Sequence, residues 1–262
     1  MIPLASISET VPRVALVTGA AMRLGRAIAV ALAGAGFDVA VHCHLSTAAA
    51  EETCAEIRRL GRRAALLRAD LASEAAVQSL VSAAGSALGA VGVLINNASR
   101  FEQDEWDTVS RSSWDAHLEP NLRAPFVLMQ AFARALPDPA EGVVVNMIDQ
   151  RVWSITPHFV SYTVSKAGLW ALTQSMALAF APRIRVNAIG PGPALPSARQ
   201  SREQFDRQSL SVPLGHGTGP DEVARAVLAI LQLPSMTGQM IALDGGQHLQ
   251  WSPTRGRLPI EE

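Results

Sequence analysis

Seven short apolar runs recur along the chain: Val14–Thr18, Asp38–Cys43, Ala64–Asp70, Val91–Ala98, Val143–Ile148, Arg183–Ile189 and Gln239–Asp244. Runs this short and this apolar fit strands buried on both faces of a parallel sheet, where no polar alternation is needed. Segments of helical character separate them: about Arg26 to Ala35 with Gly36 as a stop, Thr47–Leu60, Ser73–Leu88, 113–135, a helix carrying Tyr162 on to about Phe180, and 220–232. Strands and helices that alternate with short joins predict a single α/β domain over 1–262. Its core is a doubly wound, seven-stranded parallel sheet with helices on both faces. A hydrophobic fraction of 48% supplies a sizeable core, and a net charge of −1 gives no basic excess to suggest nucleic acid. Cys43 and Cys54 have neither metal-ligand spacing nor a disulfide framework. Met1 to Pro12 does not read as a signal peptide, and no apolar run is long enough for a membrane span. The expectation is a cytoplasmic protein without a metal.

In such sheets ligands bind outside the carboxyl ends of the strands. Gly19, Asn97, Asp149 and Pro191 all follow strands there and converge on one crevice. The first run ends in Gly19-Ala-Ala-Met-Arg-Leu-Gly25, a strand-turn-helix unit that can set a helix N-terminus against a phosphate. Gly19 allows the tight turn and Gly25 a close helix approach, while Arg23 stands where a dinucleotide fingerprint has its middle glycine. The second run ends in His42-Cys43-His44-Leu45-Ser46, with no Asp or Glu to accept from a ribose 2′-hydroxyl. His44 and Ser46 can donate to a 2′-phosphate and Arg23 can add positive charge, which favours NADPH; a plain polar loop is the alternative. Asp70-Leu71 would close over an adenine, and Asn96-Asn97-Ala98 would bond a cofactor and the neighbouring strand, or simply end that strand. The polar stretch 197–210 is expected to cover the site as a flap, and 247–262 to be a tail carrying Trp251.

Tyr162 is the only tyrosine in the chain, and Lys166 lies four residues on. Residues so spaced share a helix face. A free phenol titrates near ~10 and an ammonium near ~10.4. A cation a few ångströms from the phenol favours phenolate, which makes Tyr162 a candidate general acid. A half-buried tyrosine beside a solvated lysine would have the same spacing.

Taken in order, Thr18-Gly-Ala-Ala-Met-Arg-Leu-Gly25, Asp70-Leu71, Asn96-Asn-Ala98, Asn121, Tyr162-xxx-Lys166, Pro191-Gly192 and Asp244-Gly-Gly246 resemble the short-chain dehydrogenase/reductase family over nearly the whole chain. The resemblance implies a Rossmann fold, a nicotinamide cofactor, Tyr162 as proton donor, Lys166 bonded to the nicotinamide ribose, and Asn121 holding a water of the proton relay. One position departs. Most members carry serine thirteen residues before the tyrosine, where this chain has Asp149. An ionised carboxylate only accepts hydrogen bonds. It cannot donate to a ketone oxygen, but it can accept from the N–H groups of a nitrogen heterocycle, and with a raised pKa Asp149 is itself a catalytic candidate that could carry a proton to a ring nitrogen.

That departure resembles pteridine reductases and the related dihydromonapterin or dihydrofolate reductases. They share an Arg in the glycine turn (Arg23), Asn97-Ala-Ser-Arg-Phe101, Asp149, and Asn121-Leu-Arg-Ala-Pro-Phe126. In them the pterin lies between the nicotinamide and the Phe ring. The implied cofactor contacts are the turn residues Gly19, Arg23, Leu24 and Gly25; His42, His44 and Ser46; Asp70 and Leu71; Asn97, Ala98 and Ser99; and Lys166, Pro191 and Gly192. The implied substrate contacts are Arg23, Ser99, Phe101, Asp149 and Tyr162. Where the branch reads His-Arg-Ser after the second strand, this chain reads His44-Leu45-Ser46. The expected function is NADPH-dependent reduction of a dihydropterin or dihydrofolate. The alternatives are a carbonyl reductase acting on a 3-oxoacyl or other ketone, and a non-catalytic NADP(H)-binding sensor. Apolar surface on 113–135 and 162–180 beyond one core-facing stripe, with the family, implies a tetramer or dimer.

Overall fold

The computed structural model describes residues 7–197 and 199–250. The seven runs form β1 (Val14–Val17), β2 (Asp38–Cys43), β3 (Ala64–Arg68), β4 (Val93–Asn96), β5 (Gly142–Met147), β6 (Ile184–Pro191) and β7 (Met240–Leu243). They build one parallel sheet in the order β3-β2-β1-β4-β5-β6-β7. Strand order reverses between β1 and β4, which opens a crevice at their carboxyl ends. The helices are α1 (Arg23–Gly34), α2 (Thr47–Arg59), α3 (Glu74–Leu88), α4 (Arg111–Leu118), α5 (Ala124–Ala135), α6 (Val160–Ala179), α7 (Arg202–Leu210) and α8 (Pro220–Gln232).

The runs are mainly apolar because both sheet faces are covered. Along β1, Ala15 and Val17 pack toward α1, α2 and α8, while Val14 and Leu16 pack toward α3, α5 and the end of α6. Each such Val or Leu, fully buried, contributes roughly 1.5–3 kcal/mol. Cys43 and Cys54 are buried thiols in the first of these layers. Among the described residues, no helix is long and apolar enough to cross a membrane, and no three His, Cys, Asp or Glu side chains gather as a metal site.

Two helices differ from the sequence expectation. α1 begins at Arg23 rather than Arg26, so Gly25 lies inside the first turn. The helix folds back on the glycine turn so tightly that a Cβ on Gly25 would run into the Gly19 carbonyl oxygen. The second difference is in the long helix expected over 113–135. It starts at Arg111, under a capping box made by Ser110 and Ser113, and is interrupted by a π-helical segment, Glu119–Arg123. Pro120 supplies no N–H to the helical ladder, so the wider turn falls where an α-helical bond cannot form. Asn121 sits inside that segment. The polar stretch 197–210 holds α7, capped by Ser201 with Gln204. Of the tail, Gln247–Leu249 form a single 3-10 turn, and Trp251 lies outside the described residues.

Candidate active site

The glycine turn is fastened from two sides. Gly19 has a φ of +63°, a conformation that suits glycine. From β4, the Asn97 side chain donates to the Thr18 and Gly19 carbonyls at 2.8 and 3.2 Å, and the Thr18 hydroxyl accepts the Asn97 and Ala98 N–H groups at 2.9 and 3.0 Å. From β2, His42 accepts the Gly19 N–H on Nδ1 at 3.1 Å and faces the Ala69 carbonyl with Nε2 at 3.2 Å. Accepting at Nδ1 puts its proton on Nε2, which donates to Ala69. Burial pushes the His42 pKa down to about 4, against the opposing pull of the Ala69 bond. Named from sequence among the cofactor contacts, His42 is a neutral strut with both ring nitrogens engaged by backbone.

Beyond this turn lies a cleft of about 680 Å³, lined by Gly19, Arg23, Leu24, Gly25, His44, Asp70, Leu71 and Asn97–Ser99, among others. Asp70 is held by its own turn, accepting the Ala72 N–H at 3.0 Å, with the His44 ring 3.9 Å away. The Ser46 hydroxyl does not cap α2. Arg68, at the end of β3, donates from Nε to the His44 carbonyl at 3.2 Å. His44 and Asp70 line the cleft where β2 ends, Arg68 is fastened to the His44 carbonyl, and the cleft shape and polar rim fit a dinucleotide.

A second cavity of about 300 Å³ joins the first through Arg23, Leu24, Asn97 and Ser99, and contains Phe101, Asp149, Arg151, Tyr162 and Lys166. β5 delivers Asp149 and α6 delivers Tyr162, whose hydroxyl donates to Asp149 Oδ2 at 3.0 Å. Asp149 Oδ1 accepts the Arg151 N–H at 2.8 Å, so the carboxylate caps the 3-10 turn Gln150–Val152. Two negative charges at the Tyr–Asp separation would repel by on the order of 5 kcal/mol at an effective dielectric of ~20. A phenolate at Tyr162 therefore needs compensating cations. Lys166 is one: 2% exposed, its Nζ donates to the Met147 carbonyl at 2.8 Å and lies 5.7 Å from the Tyr162 ring centre. Burial lowers its pKa to about 8, with Asp149 pulling the other way.

Asn121 does not line either cavity. Its side chain accepts the Arg100 N–H at 2.8 Å and donates to the Arg100 carbonyl and the Ser165 hydroxyl at 2.9 and 3.1 Å. Its own main-chain carbonyl would ordinarily accept from residue 125, a proline without an N–H. The Asn121 amide itself is fully engaged by Arg100 and Ser165. Phe101 lines the cavity, but one ring face is stacked on Phe159 (centroids 4.7 Å, interplanar angle 14°) and its edge meets Tyr162. The Arg23 guanidinium crosses from the glycine turn to donate to the Leu195 and Pro196 carbonyls at 3.3 and 2.9 Å. Gly192 follows β6, where a Cβ would come within 2.7 Å of the Asp244 backbone. α7 contributes Phe205 and Gln208 to the cavity wall.

Sequence reading missed the groups that hold α6 in place. Asp104, in the loop after β4, accepts the Phe159 and Val160 N–H groups on its carbonyl at 2.9 and 3.4 Å, and the Ser161 N–H on its carboxylate at 3.2 Å. The Ser161 hydroxyl donates to the same carboxylate and sits 2.7 Å from His117 Nδ1, whose Nε2 accepts the Glu102 N–H at 3.0 Å. Burial lowers the His117 pKa, with Asp104 opposing. Phe159, at φ +57°, turns the chain into α6 above this network. No local pattern marks Asp104, because its partners lie 57 residues away.

Comparison with known proteins places this geometry. The short chain dehydrogenase family profile matches residues 13–207. 3beta-hydroxysteroid dehydrogenase 1 of Eggerthella lenta is 32% identical over 248 residues, spanning 89% of this chain and 93% of that protein. Among solved structures, FolM alternative dihydrofolate reductase 1 from Brucella canis, complexed with NADP, superposes with a TM-score of 0.91 at 44% identity, covering 94% of this chain and 99% of that one. Its Brucella suis counterpart, also with NADP, gives 0.90 at 45% identity over the same shares. By this match over most of its length, the chain belongs to the short-chain dehydrogenase family.

Proposed function

We propose that this protein is an NADPH-dependent reductase of a pterin-type substrate, converting a dihydropterin or dihydrofolate to its tetrahydro form. The observation that carries this reading is Asp149, an acceptor-only group bonded to the Tyr162 hydroxyl at the wall of the substrate cavity. A carboxylate has about four acceptor positions, and the bonds from Tyr162 and Arg151 leave room for N–H groups of a heterocycle. The Brucella FolM proteins, at 44–45% identity, support the same assignment. Bound NADPH supplies the hydride, received by a ring carbon of the substrate. Tyr162 holds the proton at Oη and passes it to the adjacent nitrogen, directly or through a water. Asp149 orients the heterocycle, Lys166 offsets the charge left on the phenol, and the Asn121 carbonyl holds the replenishing water. Phe205 and Leu195 help to exclude solvent from the cavity they line.

The test is NADPH oxidation with dihydrobiopterin, dihydromonapterin, dihydrofolate and a set of ketones including a 3-oxosteroid. Turnover confined to the ketones would transfer the assignment to a carbonyl reductase, the reading that the Eggerthella relative favours.

Cofactor choice follows from the mouth of the cleft. His44, Ser46 and Arg68 surround the end of β2 with donors, and Arg68 supplies the cation that Leu45 does not. NADPH should exceed NADH in kcat/KM, and Arg68→Ala should lower the NADPH value about tenfold, as for one lost charge-assisted bond. The NADH value should hold. Equal use of the two cofactors by the parent protein would refute the assignment of this mouth to a 2′-phosphate.

A flat substrate would pack against the part of Phe101 that lines the cavity, beside the Arg151 and Arg199 guanidiniums that lie over its ring at 5.9 Å. Phe101→Ala should raise KM for a pterin about tenfold, since aromatic pairing contributes about 0.5–1.5 kcal/mol beyond area burial. A flexible ketone should be much less affected. A fall in thermal stability with unchanged pterin KM would mean that Phe101 serves only to pack against Phe159.

A further inference from the structure

Arg151 is a buried cation in the substrate cavity for which the family mechanism has no use. It is 8% exposed, and its guanidinium carbon lies 5.1 Å from the Phe159 ring centre, 5.5 Å from Tyr162 and 5.9 Å from Phe101. Its Nε is 3.7 Å from Asp149 Oδ1, the oxygen that also accepts its backbone N–H. A buried ion pair is weak ground for stability, because well-packed apolar residues often serve as well or better. A guanidinium is instead suited to this place by its flat shape, which stacks on aromatic rings while keeping its charge.

We infer that Arg151 is a positioning residue that sets the charge of the tyrosine: it offsets Asp149 so that Tyr162 can release its proton beside a carboxylate. This rests on the reading of Tyr162 as proton donor, whatever the acceptor. In the step itself the Tyr162 O–H bond breaks and an N–H bond to the substrate forms. The electron pair stays on the phenol oxygen, the hydride comes from NADPH, and solvent later returns the proton. Every packed element contributes to the charge around the phenol. The end of β5 and its turn bring Asp149 and Arg151, α6 brings Lys166, and α4 brings the His117 ring at 6.1 Å. The loop after β4 brings Glu102, which is ion-paired with Arg199. Among the described residues, two anions, Asp149 and the phenolate, face two cations, Lys166 and Arg151, at the moment of proton release. Without Arg151 the anions outnumber the cations.

Tyr162 is the sole tyrosine, so the ultraviolet difference absorbance of tyrosinate in the full-length protein reports this one phenol and needs no substrate. Arg151→Met should raise the tyrosinate midpoint by about one pH unit, the low end of the effect of a neighbouring opposite charge. Asp149→Asn should lower it, and the double variant should lie between the single variants. Arg151→Lys keeps the charge and should stay near the parent, while Arg151→Gln should follow the methionine variant; this pair carries the test if Arg151→Met does not fold. In turnover, with whichever substrate is reduced, Arg151→Met should lower kcat on the order of 100-fold and leave the NADPH dissociation constant nearly unchanged. A midpoint that does not move on removing the charge would overturn the inference, even if pterin reduction is confirmed. Conversely, the midpoint shifts would stand if the substrate proved to be a ketone.

Discussion

Replacing Tyr162 with phenylalanine is expected to cut kcat by ~10²–10⁴-fold, the range for a lost general acid, with little change in NADPH affinity. The phenol hydroxyl donates to Asp149 at 3.0 Å, and the buried Lys166 ammonium lies 5.7 Å from its ring centre. The ring itself packs edge-on against Phe101, a contact that phenylalanine preserves. The loss should therefore fall on chemistry and not on folding. Near-full pterin turnover by Tyr162→Phe would show that Asp149 or water supplies the proton. Lys166 adds a pH signature. Its pKa of about 8 means that kcat/KM for NADPH, which reports the free enzyme, should fall as pH rises through about 8 and the ammonium loses its proton. The stability term has the opposite sign. Between about 8 and its ordinary value near ~10.5, the unfolded chain binds this proton and the folded chain does not, so stability from this group rises with pH. Activity that falls while thermal stability holds or rises would identify Lys166, whereas a parallel fall of both would point to unfolding instead. Lys166→Arg should move the activity limb upward.

Asp149→Ser carries the next largest effect, a drop in pterin kcat/KM of about 10- to 100-fold. A hydrogen bond to a charged group is worth roughly 1.5–3 kcal/mol, at ~1.4 kcal/mol per decade. The substitution exchanges an acceptor for a donor at the position where most family members orient a carbonyl. Ketone reduction should appear or increase as pterin reduction declines. Asp149→Asn retains the size and one acceptor oxygen but loses the charge, and should be intermediate for the pterin. If both variants keep pterin activity while the parent already reduces ketones well, the carbonyl-reductase reading replaces the one proposed.

The strands were legible because burial on both faces leaves a run with few polar residues and no strict alternation, and β1, β2, β4 and β5 are buried throughout. Helix boundaries were less so. Gly25 reads as punctuation in a one-dimensional pattern, yet it is a helical residue packed against the turn it helps to close. The π segment, Glu-Pro-Asn-Leu-Arg, sits inside what reads as one long helix, and only Pro120 and Pro125 hint at the broken ladder. Tyr162, Lys166 and Asp149 could be named because they sit at motif positions. Arg151 could not, since an arginine four residues past a strand ordinarily points to solvent. Its burial comes from Phe101 and Phe159, brought over it by two other parts of the chain. His42 shows a part that the sequence did not: at the carboxyl end of β2 it lines the cleft and also ties three strand ends together.

The cap that Asp104 places on α6 has a consequence for how this protein can change its diet. The loop after β4 that carries Phe101 into the pocket also supplies every acceptor found for the first three amide groups at the start of α6, from Phe159 to Ser161. Pocket shape and the footing of the tyrosine are therefore inherited together. A loop transplanted from a relative to admit a different substrate brings a new pocket wall, but it undercuts the helix that does the chemistry unless it preserves both the backbone path and the acid at 104. Diversification that varies 101–103 while holding Asp104 and its His158 partner Glu105 constant separates the two inheritances, letting substrate range drift over an undisturbed proton donor.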